Sequence, residues 1–317
     1  MRRWTGLLLG AGMLGSCQDL GASCSRNARP PPELLITRVA LPDPVLRGMS
    51  GLTRAPSGRP YDYLAVAERL HHLIPIRVHE GTFEALAPLP IRGVEASIDL
   101  EGVASLEDGR LAFSTEEDRS RDVDYVMLAE LHDDHAEVVR RIALPYETWG
   151  LRPERNRGLE GLCGSSGRIV VASEMVVESP DGSRRSPVAV LDLATERWTP
   201  GSIRLTSDTG KISGLACSDA AGGLTVTAIE RHFDRLHLVQ FDVGDDGQVS
   251  GARLLADLRP RFSETPPNFE GIERIGDNAF LLVTDNDWRG VRGPTELIRW
   301  DAPHPGSRRG PAPAGAP

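Results

Sequence analysis

The chain has 317 residues, 40% of them apolar and only 5% aromatic, with 33 glycines and 24 prolines. That is enough apolar material for a sizeable core, and many turn formers between short β-rich runs point to an all-β domain. A formal net charge of −9 without a basic stripe argues against nucleic acid as a partner.

The first residues, MRRWTGLLLGAGMLGSC, carry two arginines, a short apolar core and small residues before Cys17. The segment is too short to span a bilayer and reads as an export signal. Its LGSC end resembles the lipobox of bacterial lipoproteins. This implies a lipoprotein-type signal over residues 1–17, lipidation of Cys17, and a membrane-anchored protein in the periplasm or on the cell surface. Residues 18–32 read as a Pro-rich tether, residues 33–301 as the folded domain and 302–317 as a disordered tail. Loss of residues 1–16 removes Arg2 and Arg3 and shifts the net charge from −9 to −11.

Residues 33–42, ELLITRVALP, form a strand-like run with no partner beside it. Then come five related stretches: RGMSGLTRAPSGRPYDYLAVAER, IDLEGVASLEDGRLAFSTEED, RGLEGLCGSSGRIVVASEM, GKISGLACSDAAGGLTVTAIER and PNFEGIERIGDNAFLLVTDND. Their anchoring glycines, Gly51, Gly102, Gly161, Gly214 and Gly271, are 51, 59, 53 and 57 residues apart. A period of this length marks a stacked or radial repeat. The second repeat divides into four strands (GVASLE, RLAFSTE, DYVMLAEL, AEVVRRIALP), and so does the fourth. Four-stranded sheets repeated radially make a β-propeller. The last repeat ends after its third strand, TELIRWD, so residues 33–42 are expected to supply its fourth. The expectation is a five-bladed β-propeller closed by an N-terminal strand, and a monomer.

The residues before the anchoring glycines are Ser50, Glu101, Glu160, Ser213 and Glu270. In a propeller they start the innermost strands. The second strand of each repeat returns to the same end, carrying Glu68, Glu116, Glu174, Glu230 and Asp285, with Arg69, Arg119, Arg231 and Arg289 close behind. Carboxylates ~5 Å apart repel by about 3 kcal/mol per pair at an effective dielectric near 20, so protons, arginines or a cation must relieve them. Hard oxygen donors without sulfur favour Ca²⁺. An arginine-paired rim without metal is the alternative, and both can coexist. His71, His72 and His232 could assist proton transfer, although each reads more simply as a surface histidine. Cys163 and Cys217 lie three and four residues after Glu160 and Ser213. That offset turns strand side chains to opposite faces, so buried free thiols are expected, with a disulfide as the alternative.

The Glu-Gly starts LEGV, LEGL and FEGI, followed by strands ending in an acid, resemble the phytase-like propellers named for the esterase-like activity of phytase. The order Ser, Glu, Glu, Ser, Glu is also similar to the central calcium site of calcium-activated nucleotidases (apyrases). That resemblance implies an axial Ca²⁺ held by Ser50, Glu101, Glu160, Ser213 and Glu270. The nucleotidases' longer loop motifs and the multi-calcium clusters of β-propeller phytases are not found in the sequence. Three functions follow: a calcium-dependent phosphoester hydrolase acting on a small phosphorylated substrate, a non-catalytic propeller binding a surface ligand or protein, or a metal-assisted lactonase or esterase. Neither GxSxG nor HExxH occurs, which weighs against serine-elbow esterases and zincin peptidases.

Overall fold

The computed structural model describes residues 35–38, 48–117, 123–152, 157–262, 265–286 and 294–301, all within one unit, Pro32–Pro317. The expected signal, Cys17, the tether and the tail lie outside these residues, as do Arg119 and Arg289.

The described residues are all-β apart from two single 3-10 turns. In chain order they begin with β1 (Leu35–Arg38), β2 (Met49–Arg54), β3 (Tyr63–Ala67), β4 (His72–His79), β5 (Thr82–Ala85) and β6 (Leu89–Arg92). The second repeat gives β7 (Ile98–Ser105), β8 (Leu111–Glu117), β9 (Val123–Leu131) and β10 (Ala136–Pro145). The third gives β11 (Leu159–Ser165), β12 (Arg168–Ser173), β13 (Val177–Glu178), β14 (Arg184–Asp192) and β15 (Arg197–Arg204). The fourth gives β16 (Lys211–Ala220), β17 (Gly223–His232), β18 (Arg235–Gly244) and β19 (Val249–Asp257). The last gives β20 (Phe269–Gly276), β21 (Ala279–Thr284) and β22 (Glu296–Asp301).

The second, fourth and last repeats each form an antiparallel sheet in chain order from the first strand outward, while in the first β5 and β6 both pair with β4 and in the third β13 and β15 both pair with β14. The first two sheets are joined at their outer edges, where β6 pairs in parallel with β10 (Ala136↔Ile91, Glu137↔Arg92). The expectation of separate four-stranded sheets therefore fails at this edge, because β6 pairs with β4 on one side and β10 on the other. In the last sheet β1 lies antiparallel to β22, with Leu35 opposite Arg299 and Arg38 opposite Glu296. Strands from the two ends of the domain thus meet in one sheet, which leaves no exposed edge on β22.

The inner strands and their immediate neighbours are buried on both faces, so those runs read as nearly continuous apolar stretches, whereas outer strands such as β15 and β19 are partly exposed. Period-two alternation then sends neighbours to different cores. Leu111 and Phe113 pack towards the first repeat, while Ala112 faces Leu162 and Ile169 of the third. Further clusters join the third repeat to the fourth, the fourth to the last, and the last back to the first, where Leu281 and Val283 meet Met49 and Ile74. The innermost strands follow the same circuit: β2 contacts β7, β7 contacts β11, β11 contacts β16, β16 contacts β20, and β20 contacts β2. Radially stacked sheets around a common axis are a β-propeller.

Cys163 and Cys217 are joined in a disulfide, with Cα atoms 5.4 Å apart, and the expectation of free thiols is corrected. Opposite faces would separate two cysteines of one sheet. Here the strands belong to neighbouring sheets stacked face to face, and stacked sheets present opposite faces to each other. Leu162 belongs to the core shared with the second repeat, Cys163 to the core shared with the fourth.

Candidate functional site

Each inner strand is interrupted at the same place. The ladders of β2, β7, β11, β16 and β20 shift register across Ser50, Glu101, Glu160–Gly161, Ser213 and Glu270. A β-bulge inserts one residue that has no partner across the ladder and re-aims its side chain. Here it falls on the position before the anchoring glycine in every repeat. The glycines themselves serve close approach. A Cβ on Gly214 would stand 2.3 Å from the Glu270 carbonyl oxygen, and one on Gly51 2.7 Å from the Val103 nitrogen. Neighbouring inner strands touch backbone to backbone at this throat, which no larger residue would allow.

The pairs flanking the bulges fix the second ring of side chains. They are Met49↔Ala67, Leu100↔Thr115, Leu159↔Ser173, Ile212↔Glu230 and Phe269↔Thr284. The next residue on the second strand is Glu68, Glu116, Glu174, Arg231 and Asp285. In the fourth repeat the mouth position therefore belongs to Arg231 and not to Glu230, one residue earlier and on the other face. Glu230 is buried away from the mouth. Its Oε2 accepts from the Thr206 amide and hydroxyl (2.8 and 2.7 Å), and its Oε1 from the Ser207 amide (2.8 Å) and hydroxyl. It anchors the loop before β16.

Glu68, Glu101, Glu116, Glu160, Glu174, Glu270, Asp285, Arg69 and Arg231 all line one cavity of about 290 Å³ at this mouth. Ser50 and Ser213 lie below it in the throat, where their hydroxyls donate to the carbonyls of Leu100 (2.6 Å) and Phe269 (2.9 Å) on the neighbouring inner strands. His232 lines the cavity, whereas His71 Nε2 meets the Ile98 carbonyl at 2.6 Å and His72 Nδ1 the Leu70 carbonyl.

Three participants escape a reading of the Glu-Gly motif alone: Asp99, Lys211 and Asn268. Each lies two residues before its ring residue. Asn268 Nδ2 donates to Glu270 Oε1 (2.7 Å) and Asp285 Oδ2 (3.3 Å), and Lys211 pairs with Glu174. Arg231 grips Glu270 with two N–H groups, Nε to Oε2 at 3.1 Å and Nη2 to Oε1. Carboxylate oxygens of Glu68, Asp99 and Glu101 lie within 4.8 Å of one another.

The charges are segregated. The second repeat contributes Asp99, Glu101 and Glu116. The fourth places Lys211, Ser213 and Arg231 at the corresponding positions. The carboxyl groups of Glu101 and Glu160, residues 6% and 7% exposed, make no hydrogen bond or ion pair with any described residue, although the Glu160 backbone carbonyl accepts from the Ser114 hydroxyl (2.7 Å). Burial pushes both carboxyls well above the ordinary value, and mutual repulsion adds to it, with Glu68, Glu116 and Glu270 nearby. Burial also raises Glu68 and Glu116 to about 7, against partial relief from Arg69 and from the Gly158 amide respectively. Burial lowers Lys211, with Arg231 acting in the same direction.

Fold and mouth together define a β-propeller with an acid-rich axial mouth. The chain belongs to the phytase-like family described as esterase-like activity of phytase, whose profile matches residues 44–288. No curated protein matches it. Among solved structures it is similar to the PQQ-bound aldose sugar dehydrogenase of Streptomyces coelicolor (11% identity, TM-score 0.46, covering 85% of this chain and 98% of that one). It is also similar to a Thermus thermophilus protein described as a putative oxidoreductase (glucose dehydrogenase), at 12% identity and TM-score 0.44, covering 85% and 99%.

Proposed function

We propose that this chain is an exported, five-bladed propeller that binds calcium at its mouth and hydrolyses a phosphoester there. The blade count is supported by the circuit of inner strands from β2 to β20 and back, with a core between each successive pair of repeats. The observation that carries the functional reading is Glu101. It is a buried carboxylate without a partner among the described residues, within 4.8 Å of two more, in a cavity whose far wall is cationic.

The donor set fits calcium. Glu68, Asp99 and Glu101 offer only hard oxygens, and a flexible set of carboxylates suits calcium's variable coordination. Of the axial ring expected from sequence, Glu101 and Glu160 are unengaged. Glu270 is held by Arg231 and Asn268, and the two serines retain lone pairs while donating to backbone. Calcium bound there would supply a fixed positive charge for a phosphoryl oxygen. Lys211 and Arg231 hold the phosphate from the opposite wall, since a lysine has three donors and an arginine five, more than their carboxylate partners use. Glu116, poised near 7, takes the proton as water adds to phosphorus. The ester P–O bond breaks, and the departing oxygen collects a proton, with His232 at the rim as its donor.

The test is a screen of phosphomonoesters, nucleotides and aryl esters with calcium and with EDTA. Phosphomonoester hydrolysis that EDTA abolishes, and that Lys211→Ala lowers at least tenfold, is the expected result. Calcium binding without turnover of any ester would leave a binding module, and cleavage of carboxylic esters alone would replace the phosphoester reading.

A further inference from the structure

Phe233 stands out in a chain with few aromatic residues. It is 59% exposed, at the turn between β17 and β18, and it lines the same mouth cavity as the charged side chains. Its ring meets His232 edge-on at 4.9 Å. Pro266 and Pro267, which lead into Asn268 and β20, line the cavity as well. An apolar edge therefore borders the cationic wall formed by Lys211, Arg231 and Arg235. An aromatic face offers a flat ligand more than area alone, because offset or edge-to-face contacts add to burial.

Charge limits what can bind beside that edge. Among the described residues lining the cavity, seven carboxyl groups face four cationic side chains. A ligand with many phosphates would bring more negative charge than four cationic side chains can meet, two of which, Lys211 and Arg231, already pair with Glu174 and Glu270. A cavity of about 290 Å³ also lies at the small end for organic ligands. From these observations we infer that the mouth selects a singly phosphorylated ester whose leaving group is aromatic, with the phosphate on Lys211 and Arg231 and the ring against Phe233 and the Pro266–Pro267 edge. The inference rests on the phosphoester reading and specifies its substrate class.

The test is calorimetric titration of the full, calcium-loaded chain with inorganic phosphate, phenyl phosphate, glycerol 2-phosphate and inositol hexakisphosphate. Phenyl phosphate is expected to bind about tenfold tighter than glycerol 2-phosphate, and inositol hexakisphosphate no tighter than glycerol 2-phosphate. Phe233→Ala should erase the preference while leaving inorganic phosphate affinity unchanged, and Phe233→Tyr should retain it. A melting curve for each variant establishes that it is folded before its affinities are compared. Phosphate binding with no preference for the phenyl ester, or a preference that survives Phe233→Ala, overturns the aromatic subsite alone. Binding of neither phosphate nor any ester overturns the phosphoester reading and this inference together.

Discussion

Glu116 shows what the mouth costs the fold. Its carboxyl is raised from 4.5 to about 7 by burial, only partly offset by the Gly158 amide. A carboxyl with a raised folded-state value binds its proton more tightly when folded. Its stabilising contribution is complete below its unfolded value and is lost as pH rises through the folded one. A shift of this size corresponds to on the order of 3 kcal/mol, and Glu68 moves in the same direction. The calcium-free protein should therefore lose stability as pH rises from about 4.5 through about 7, the window set by those two values. Thermal melts in EDTA across that range check this, and a melting temperature that rises with pH would contradict it. Glu160→Gln should raise the melting temperature in EDTA at the alkaline end of that window, because it removes a buried carboxyl whose ionisation burial opposes. The ring residues were legible because a Glu or Ser stands directly before each of five regularly spaced glycines. Asp99, Lys211 and Asn268 were not, since the position two residues earlier holds Gly, Asp, Gly, Lys and Asn, and no single chemistry repeats. Glu230 was misplaced by one residue because the turn lengths between first and second strands vary, and only the paired register, with Lys211 opposite Arg231, shows that Arg231 takes the mouth position.

At the scale of elements, the bulge and the disulfide act at two places along the inner strands. The bulge turns one side chain per strand into the mouth. The disulfide ties β11 to β16 across the core they share, closing a loop with a sequence separation of 54. Loop-closure entropy for that length gives an upper figure of about 4 kcal/mol, and typical measured values are roughly 2–4 kcal/mol. Cys163→Ala/Cys217→Ala should lower stability by about that amount in chemical denaturation, with calcium affinity little changed because the cysteines lie beyond the bulges from the mouth. A double variant as stable as the parent would mean that the bond adds nothing to the ring. Strand positions could be read from turn residues and apolar runs, as the agreement over 98–145 and 211–257 illustrates. The disulfide could not. Its geometry depends on sheet-to-sheet stacking, and the alternation rule holds only for strands that share one sheet.

On the scale of the whole molecule, repeat spacing disclosed the propeller because each repeat must bury both faces against its neighbours. The incomplete last repeat disclosed where the chain ends meet. What spacing could not disclose is the parallel edge between β6 and β10, which depends on how the outer strand of the first sheet divides. The N-terminal segment sets a separate expectation. With Cys17 lipidated, the protein partitions with membranes, and Cys17→Ser should release it to the soluble fraction. Retention of that variant in the membrane fraction would remove the lipid anchor from the account.

Calcium at the mouth is the claim on which the functional reading turns, and calorimetric titration of the metal-free chain with Ca²⁺ tests it most directly. One ion per chain is expected, with binding abolished in Glu101→Gln and weakened at least tenfold in Asp99→Asn. A ligand specific to the folded state adds about 2.7 kcal/mol at a hundredfold excess over its dissociation constant, so the parent's melting temperature should rise with calcium and fall with EDTA. Glu270→Gln should disturb calcium binding less than Glu101→Gln, because Arg231 and Asn268 already hold that carboxylate. No heat of binding, together with a melting curve indifferent to chelation, would contradict the account and leave the mouth as an arginine- and lysine-paired acidic rim.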